Sequence, residues 1–326
     1  MPGPSRRRLA CLQIGLLLAL GTAPVRASDP YPAKPIRLIV PYAAGQGTDI
    51  AARYLAEELG KELGKAIFIE NRPGANGNIG TQAAATSPPD GYTLMIGTNA
   101  THAANGFLYV QPGYDAENDF EPIAMVGILP LVFVTAPSNP VNSMPDLVKA
   151  ARAKPQGLDI AVSTTTCRVA YELFKARAAA PMFPVDFKGS AQSLTALMGG
   201  HVPYVVDTIT SLRAAVQAGS VKALGVTSAR ESRLLPGVKS VAEQGAEGYE
   251  LVGWTVLYAP KGLPADASRV LVSAASKVLA WPAVQEKLLQ LGIEPVARTG
   301  AELRAFGTAE KEKWGRLIKG AGLSAN

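Results

Sequence analysis

The sequence runs to 326 residues, enough for two domains of ordinary size. It is 48% hydrophobic and 18% charged, a composition that builds a packed core rather than a disordered chain. Two His and two Cys leave little material for a metal centre or a disulfide framework. Beyond the N-terminal segment, no apolar run reaches the roughly 18 residues that span a bilayer.

Arg6, Arg7 and Arg8 precede an uncharged run, Leu9 to Ala23, and Val25-Arg26-Ala27 puts small residues at the −3 and −1 positions of a cleavage site. This is the pattern of a secretory signal peptide over residues 1–27. Cleavage removes four arginines and no acid, so the net charge falls from +6 to +2. The basic balance therefore belongs to the leader. No Lys/Arg cluster remains to form a phosphate-binding stripe, which argues against nucleic acid as a partner. Cys11 lies too early for a lipoprotein cysteine. Export leaves Cys167 as the sole thiol, expected to be a small buried residue.

The exported part alternates short apolar runs with helical patterns. Ile36 to Val40 reads as a buried strand ending at Pro41. After a glycine-containing turn, Asp49 opens a helix through Leu63, with Ile50, Tyr54, Leu55, Leu59 and Leu63 on one face. Ala66–Glu70 and Tyr92–Ile96 are further strands, separated by a helix over Ile79–Thr86. This βαβαβ rhythm predicts a largely parallel sheet with helices on both faces. Leu129–Thr135 then reads as an extended segment. Ser143-Met144-Pro145-Asp146 is a capping box that opens a helix ending before Pro155. Strands at Leu158–Val162, Phe183–Phe187, Val202–Val206 and Lys222–Val226 alternate with helices, including one capped by Ser190 and ending at Met198. Leu251–Tyr258 is a second extended segment. The chain from Pro264 is mainly helical, and Thr299-Gly300-Ala301-Glu302 is a second capping box. The two extended segments are read as strands crossing between lobes. Lobe 1 is then residues 28–130 plus 256–326, and lobe 2 is an insertion of residues 131–255.

Open α/β sheets bind ligands at the carboxyl ends of their strands, beside helix N-termini. Four turns of small polar residues fall there: Gly45-Gln46-Gly47-Thr48-Asp49, Gly97-Thr98-Asn99-Ala100-Thr101, Ser163-Thr164-Thr165-Thr166 and Lys188-Gly189-Ser190. Free helix N–H groups, the macrodipole and hydroxyl donors make such turns a trap for a small anion, most simply a carboxylate. Asp207 ends a strand and is either a ligand-side acceptor or a cap for the next helix. Trp254 reads as core. Gly45-Gln46-Gly47 lacks the third glycine of a dinucleotide fingerprint. No Gly-x-Ser-x-Gly elbow is present, and neither His102 nor His201 has a base-orienting acid at recognisable spacing. No catalytic residue, metal ligand or cofactor site is therefore assigned.

Tyr31-Pro32-Ala33-Lys34-Pro35-Ile36-Arg37-Leu38-Ile39-Val40-Pro41-Tyr42, Glu70-Asn71-Arg72-Pro73-Gly74-Ala75-Asn76-Gly77-Asn78-Ile79-Gly80 and Pro89-Asp90-Gly91-Tyr92-Thr93-Leu94 resemble the Bug family, the periplasmic solute-binding proteins of tripartite tricarboxylate transporters. Gly97-Thr98-Asn99, Lys188-Gly189-Ser190, Leu224-Gly225-Val226-Thr227-Ser228 and Lys313-Trp314-Gly315 extend the resemblance over nearly the whole exported chain. It implies a two-lobed periplasmic-binding fold of type II kind, with two parallel or mixed sheets flanked by helices and a ligand cleft between the lobes. It implies a periplasmic, monomeric, non-enzymatic protein that binds a small organic acid and delivers it to membrane subunits of the transporter. Carried over, the ligand-binding positions are Tyr42, Ala44, Gly45, Thr48 and Asp49; Thr98, Asn99 and Thr101; Thr164, Thr165 and Thr166; Lys188, Gly189 and Ser190; and Asp207.

Two departures stand out. Gln46 replaces a common glycine and sends a side chain toward the cleft. The Ser163–Arg168 loop is short and lacks glycine, and Arg168 replaces a common histidine, either reaching a second carboxylate or lying on the outer face of its helix. The competing functions are a sensory partner that presents the same solute to a receptor, and an exported α/β enzyme.

Overall fold

A computed structural model describes residues 30–323. The expected leader and Cys11 lie outside the described residues.

The first half begins as expected. Strand β1 (Ile36–Val40) pairs in parallel with β2 (Ile67–Asn71) and β3 (Thr93–Thr98), in register Ile36 to Ile67 and Arg37 to Thr93. Helix α1 covers Gly47–Leu63, opening two residues earlier than Asp49, with Gln46 at its N-cap and Gly64 closing it in the left-handed region. Its Ala51, Ala52, Leu55, Ala56 and Leu59 are buried, the spacing of one apolar stripe. That stripe packs with Leu271, Ala275 and Val278 of α8 (Ala265–Ala280). Helix α2 (Asn78–Ala85) follows β2. After β3, a π-helical turn (Ala100–Ala104) leads into the short helix α3 (Asn105–Leu108).

Strand β4 runs from Phe120 to Thr135, nine residues earlier than its expected start. Pro122, Gly127 and Pro130 mask its beginning in the sequence. The strand absorbs Pro122 and Gly127 at register shifts between Pro122 and Ala124 and between Met125 and Gly127, where a missing donor or side chain costs least, and Pro130 pairs in register with Val252 at the start of β9. Its first part pairs with β9 (Val252–Pro260), and its last residues pair with β7 (Tyr204–Thr208) and β8 (Lys222–Val226). One strand thus carries the sheet from its first half into its second. Among the described residues, strand β9, the other expected crossing, pairs with β3 and β4. The return is made just before it, where Thr227 N–H donates to the Leu131 carbonyl and Leu251 N–H to the Thr227 carbonyl.

The second half is again α/β. Helix α4 (Met144–Ala153) is capped by Ser143, whose hydroxyl accepts from Asp146 N–H. Strands β5 (Leu158–Val162), β6 (Met182–Asp186) and β7 are parallel. They alternate with α5 (Thr165–Ala178), α6 (Ser190–Met198) and α7 (Ile209–Gln217). After β9 come α8, α9 (Pro282–Gln290), the two-residue strand β10 (Glu294–Pro295) and α10 (Gly300–Gly320). Thr299 stands at the N-cap of α10 without a side-chain cap, and Glu302 turns to Arg298 instead at 3.0 Å. The second capping box is therefore not formed, because a cation one residue before Thr299 outcompetes the backbone amide. Apolar packing is continuous across both halves, from Ile39 and Met95 through Leu131, Trp254 and Val256 to Phe133 and Tyr171.

Candidate functional site

The four small polar turns follow β1, β3, β5 and β6, at the carboxyl ends of parallel strands, and they converge at the seam where β4 passes between the halves. The floor is built from strand register. Thr98 of β3 lies opposite Thr255 of β9, Gly253 lies opposite Leu129 of β4, and Val132, three residues on, lies opposite Asp207 of β7. Around this floor stand the starts of α1, α5, α6 and α7. Thr164 caps α5 by accepting from Cys167 N–H, and Thr208 caps α7 by accepting from Ser211 N–H. Neither α1, begun at Gln46, nor α6, begun at Gly189, has a side-chain cap. Gly47 lets the start of α1 approach α7. A Cβ there would lie 2.6 Å from Thr208 Oγ1.

These elements enclose an inner cavity of about 30 Å³, room for one or two waters. Of the expected residues, Tyr42, Gln46, Thr48, Thr98, Asn99, Thr164, Thr166, Ser190 and Asp207 line it. No Lys, Arg or His does. Tyr42 hydroxyl and Thr98 Oγ1 are 2.8 Å apart. Asn99 Nδ2–H donates to Thr166 Oγ1 at 2.7 Å, and Asn99 Oδ1 accepts from Trp254 N–H at 3.2 Å, so this one amide ties β3, β9 and α5 together. Thr255 Oγ1 and Ser190 Oγ are buried without a hydrogen bond of good geometry to the protein. Ser190 is the first helical residue of α6, not its cap.

Asp207 is fully enclosed. Burial raises its carboxyl above the usual range, against the opposing pull of Ser163 Oγ–H (2.6 Å) and Thr208 N–H (2.7 Å). Thr208 takes the capping role, so of the two readings for Asp207 the cavity-side one fits the geometry. Cys167 is buried beside it, and burial pushes its thiol up to about 12, which leaves it inert.

An outer chamber of about 720 Å³ opens beyond the cavity. Ala44, exposed Lys188 and Gly189 line it, facing the Pro73–Gly77 turn, and Tyr42, Gln46 and Ser190 are shared with the inner cavity.

Four expected residues line neither space. Asp49 points back into its own loop, accepting from Gly45 N–H (2.9 Å), Arg53 Nε–H (2.8 Å) and Asn71 Nδ2–H (2.8 Å). Burial alone would raise its pKa, but those three donors together hold it below the usual carboxylate range. With its acceptor capacity spent, Asp49 and its partner Gly45 shape the loop. Thr101 sits behind Thr98, bonded to its N–H at 3.0 Å. Thr165 faces Asn105 at 3.5 Å. Arg168 turns outward to Asp186 (3.1 Å) and Glu172 (3.4 Å), and lines a separate recess beside Ser163. His102 is stacked on Tyr258 at 3.9 Å, and burial pushes its imidazole down to about 3, so it is a packing residue. Among the described residues, no group of three or more His, Cys, Asp or Glu could hold a metal ion.

Leu129, Thr208, Gly253, Trp254 and Thr255 line the cavity without having been assigned to it. The one readable signal was Thr255, the single aliphatic hydroxyl in the otherwise apolar and aromatic run Trp254–Pro260. Trp254 is held from behind: Glu310 of α10 accepts from its Nε1–H at 2.8 Å and from Trp314 Nε1–H at 3.1 Å.

Residues 51–323 match the family described as the tripartite tricarboxylate transporter family receptor. Protein BugT of Bordetella pertussis is 33% identical over 97% of this chain and 98% of its own length. A solved structure of R. palustris Rpa4515 with adipate superposes with a TM-score of 0.88 at 32% identity, covering 91% of this chain and 100% of that one. The periplasmic binding protein BugD superposes with a TM-score of 0.85 at 30% identity, covering 91% of this chain and 100% of its own. The fold, the cleft and these likenesses together place the chain in the Bug family of tripartite tricarboxylate transporter receptors.

Proposed function

We propose that this receptor is exported to the periplasm, binds one small organic carboxylate as a monomer between lobes formed by residues 28–130 with 256–326 and by residues 131–255, and hands it unchanged to the transporter's membrane subunits. The observation that carries the carboxylate reading is the pair of uncapped helices. The starts of α1 and α6 come from opposite sides of the cleft, and both line the inner cavity. Each helix end carries roughly half a positive charge, so the two together match one carboxylate without any cation. Thr255 supplies an unspent hydroxyl donor at the same place, and Ser190 adds a second hydroxyl beside Asp207. The adipate held by Rpa4515 is an acid of this kind. Asp207 and the absence of basic side chains in the lining work against packing two full negative charges into the inner cavity, so any second acid group of a ligand sits outside it.

A thermal-shift screen against di- and tricarboxylates, acidic amino acids and aromatic acids tests this. A true ligand at a hundredfold excess over Kd adds roughly 2.7 kcal/mol of stability, and mass balance over hours returns it unconverted. If no acid in the panel moves the midpoint at millimolar concentration, the reading is wrong.

A further inference from the structure

The inner cavity and the outer chamber share Tyr42, Gln46 and Ser190, which form the neck between them. Tyr42 is fixed by its bond to Thr98. Ser190 is short and sits in the first turn of α6. Gln46 is the long, unanchored member. Its backbone is extended at the N-cap of α1 (φ −74°, ψ 157°), so the side chain leaves the helix rather than running along it. The residue is only 5% exposed, yet its carboxamide does not cap α1 and bonds to none of the described residues. It reaches toward α6, with Nε2 3.8 Å from where a Cβ on Gly189 would lie. The carboxamide faces the open space of the neck, and its donors and acceptor bond to whatever fills it.

We propose that Gln46 is the gate of the cleft and sets the width of the acid end that can enter. An unbranched carboxylate end passes beside the Gln46 amide into the inner cavity, bonding to it on the way, while the remainder of the molecule stays in the outer chamber near Lys188. An acid whose carboxylate-bearing carbon is branched or aromatic stops at the neck. This inference rests on the carboxylate reading above and adds the shape of the acid.

Titration calorimetry on the purified protein, Gln46→Gly and Gln46→Leu tests it with four probes: glutarate, adipate, citrate and benzoate. Glycine is a good N-cap, and circular dichroism checks that each variant is folded. The unsubstituted protein is expected to bind the two linear acids at least about tenfold tighter than citrate or benzoate. Q46G is expected to lose most of that discrimination by gaining the bulky acids. Q46L, of similar size without the amide, keeps the exclusion and binds the linear acids more weakly. The same discrimination in Q46G, or a preference of the unsubstituted protein for citrate or benzoate, overturns the gate and leaves the receptor reading intact. Binding of none of the four by any of the three proteins overturns the gate, and the wider acid panel above then decides the carboxylate reading.

Discussion

A threonine hydroxyl buried in an apolar strand has to be accounted for. Thr255 is 1% exposed, lies opposite Thr98 across the β3–β9 pair, and leaves Oγ1 without a partner. An unsatisfied buried hydroxyl lowers stability by about 1–3 kcal/mol, which makes sense at a position that waits for a ligand oxygen. Thr255→Val keeps the shape and removes the polar atom. The ligand-free protein should gain about 1 kcal/mol in urea unfolding, while affinity for a carboxylate ligand drops by about tenfold. A variant that is no more stable and binds equally well would show that Thr255 does not meet the ligand. Asp49 is the opposite case. Its three donors are all from the protein, so removing it together with Thr48 would disturb the loop, and Thr48 alone is the residue of that pair that faces the cavity.

At the level of elements, the π-helical turn after β3 is locked onto β9 by His102. Its ring stacks on Tyr258 and meets the edge of Phe120 at 4.9 Å, and its Nε2 is buried without a partner. Such a ring is tolerated only neutral. Its folded pKa of about 3 lies below the ordinary unfolded value of about 6.5. The unfolded chain therefore binds the extra proton. Stability from this group is complete above pH 6.5 and is lost as pH falls from 6.5 toward 3, by about 1.4 kcal/mol per pH unit well inside that window. Asp207, with its raised carboxyl, acts in the reverse direction, since the folded form holds its proton more tightly. Urea unfolding at pH 7.5 and pH 5.0 should show a larger acid-induced loss for the unsubstituted protein than for His102→Phe, which keeps the stacked ring. Equal losses in the two proteins would mean that His102 is not what acid attacks.

For the molecule as a whole, the inner cavity is too small for even a short dicarboxylate, and Asn99–Thr166 and Thr165–Asn105 bridge the loop after β3 to the start of α5. The carboxylate end enters at the Gln46 neck, and a wider opening of the cleft needs these contacts to part. The seam offers the place to bend. Strand β4 is continuous there, and the return is held by few bonds, among them Leu131 N–H to Thr227 Oγ1 at 2.8 Å. Small-angle scattering should give a larger radius of gyration for the free protein than for the protein saturated with a carboxylate that stabilises it. Superimposable curves at saturation would argue for a cleft that fills without closing.

Much of this was legible along the chain because it is local. The alternation of apolar strands with helical stripes, the Ser143 cap and the glycine-bearing turns after β1 and β3 all follow from periodicity and turn chemistry within a dozen residues. Those cues were enough to expect an α/β chain with polar turns gathered at one cleft. Only the tertiary structure decided which way the side chains of those turns point. Asp49 turned inward because Arg53 and Asn71 reach it, Thr299 lost its box to Arg298, and Leu129, Gly253 and Thr255 became a floor through the register of β3, β9 and β4. Strand register and burial depend on partners far away in sequence, and no pattern within one segment contains them.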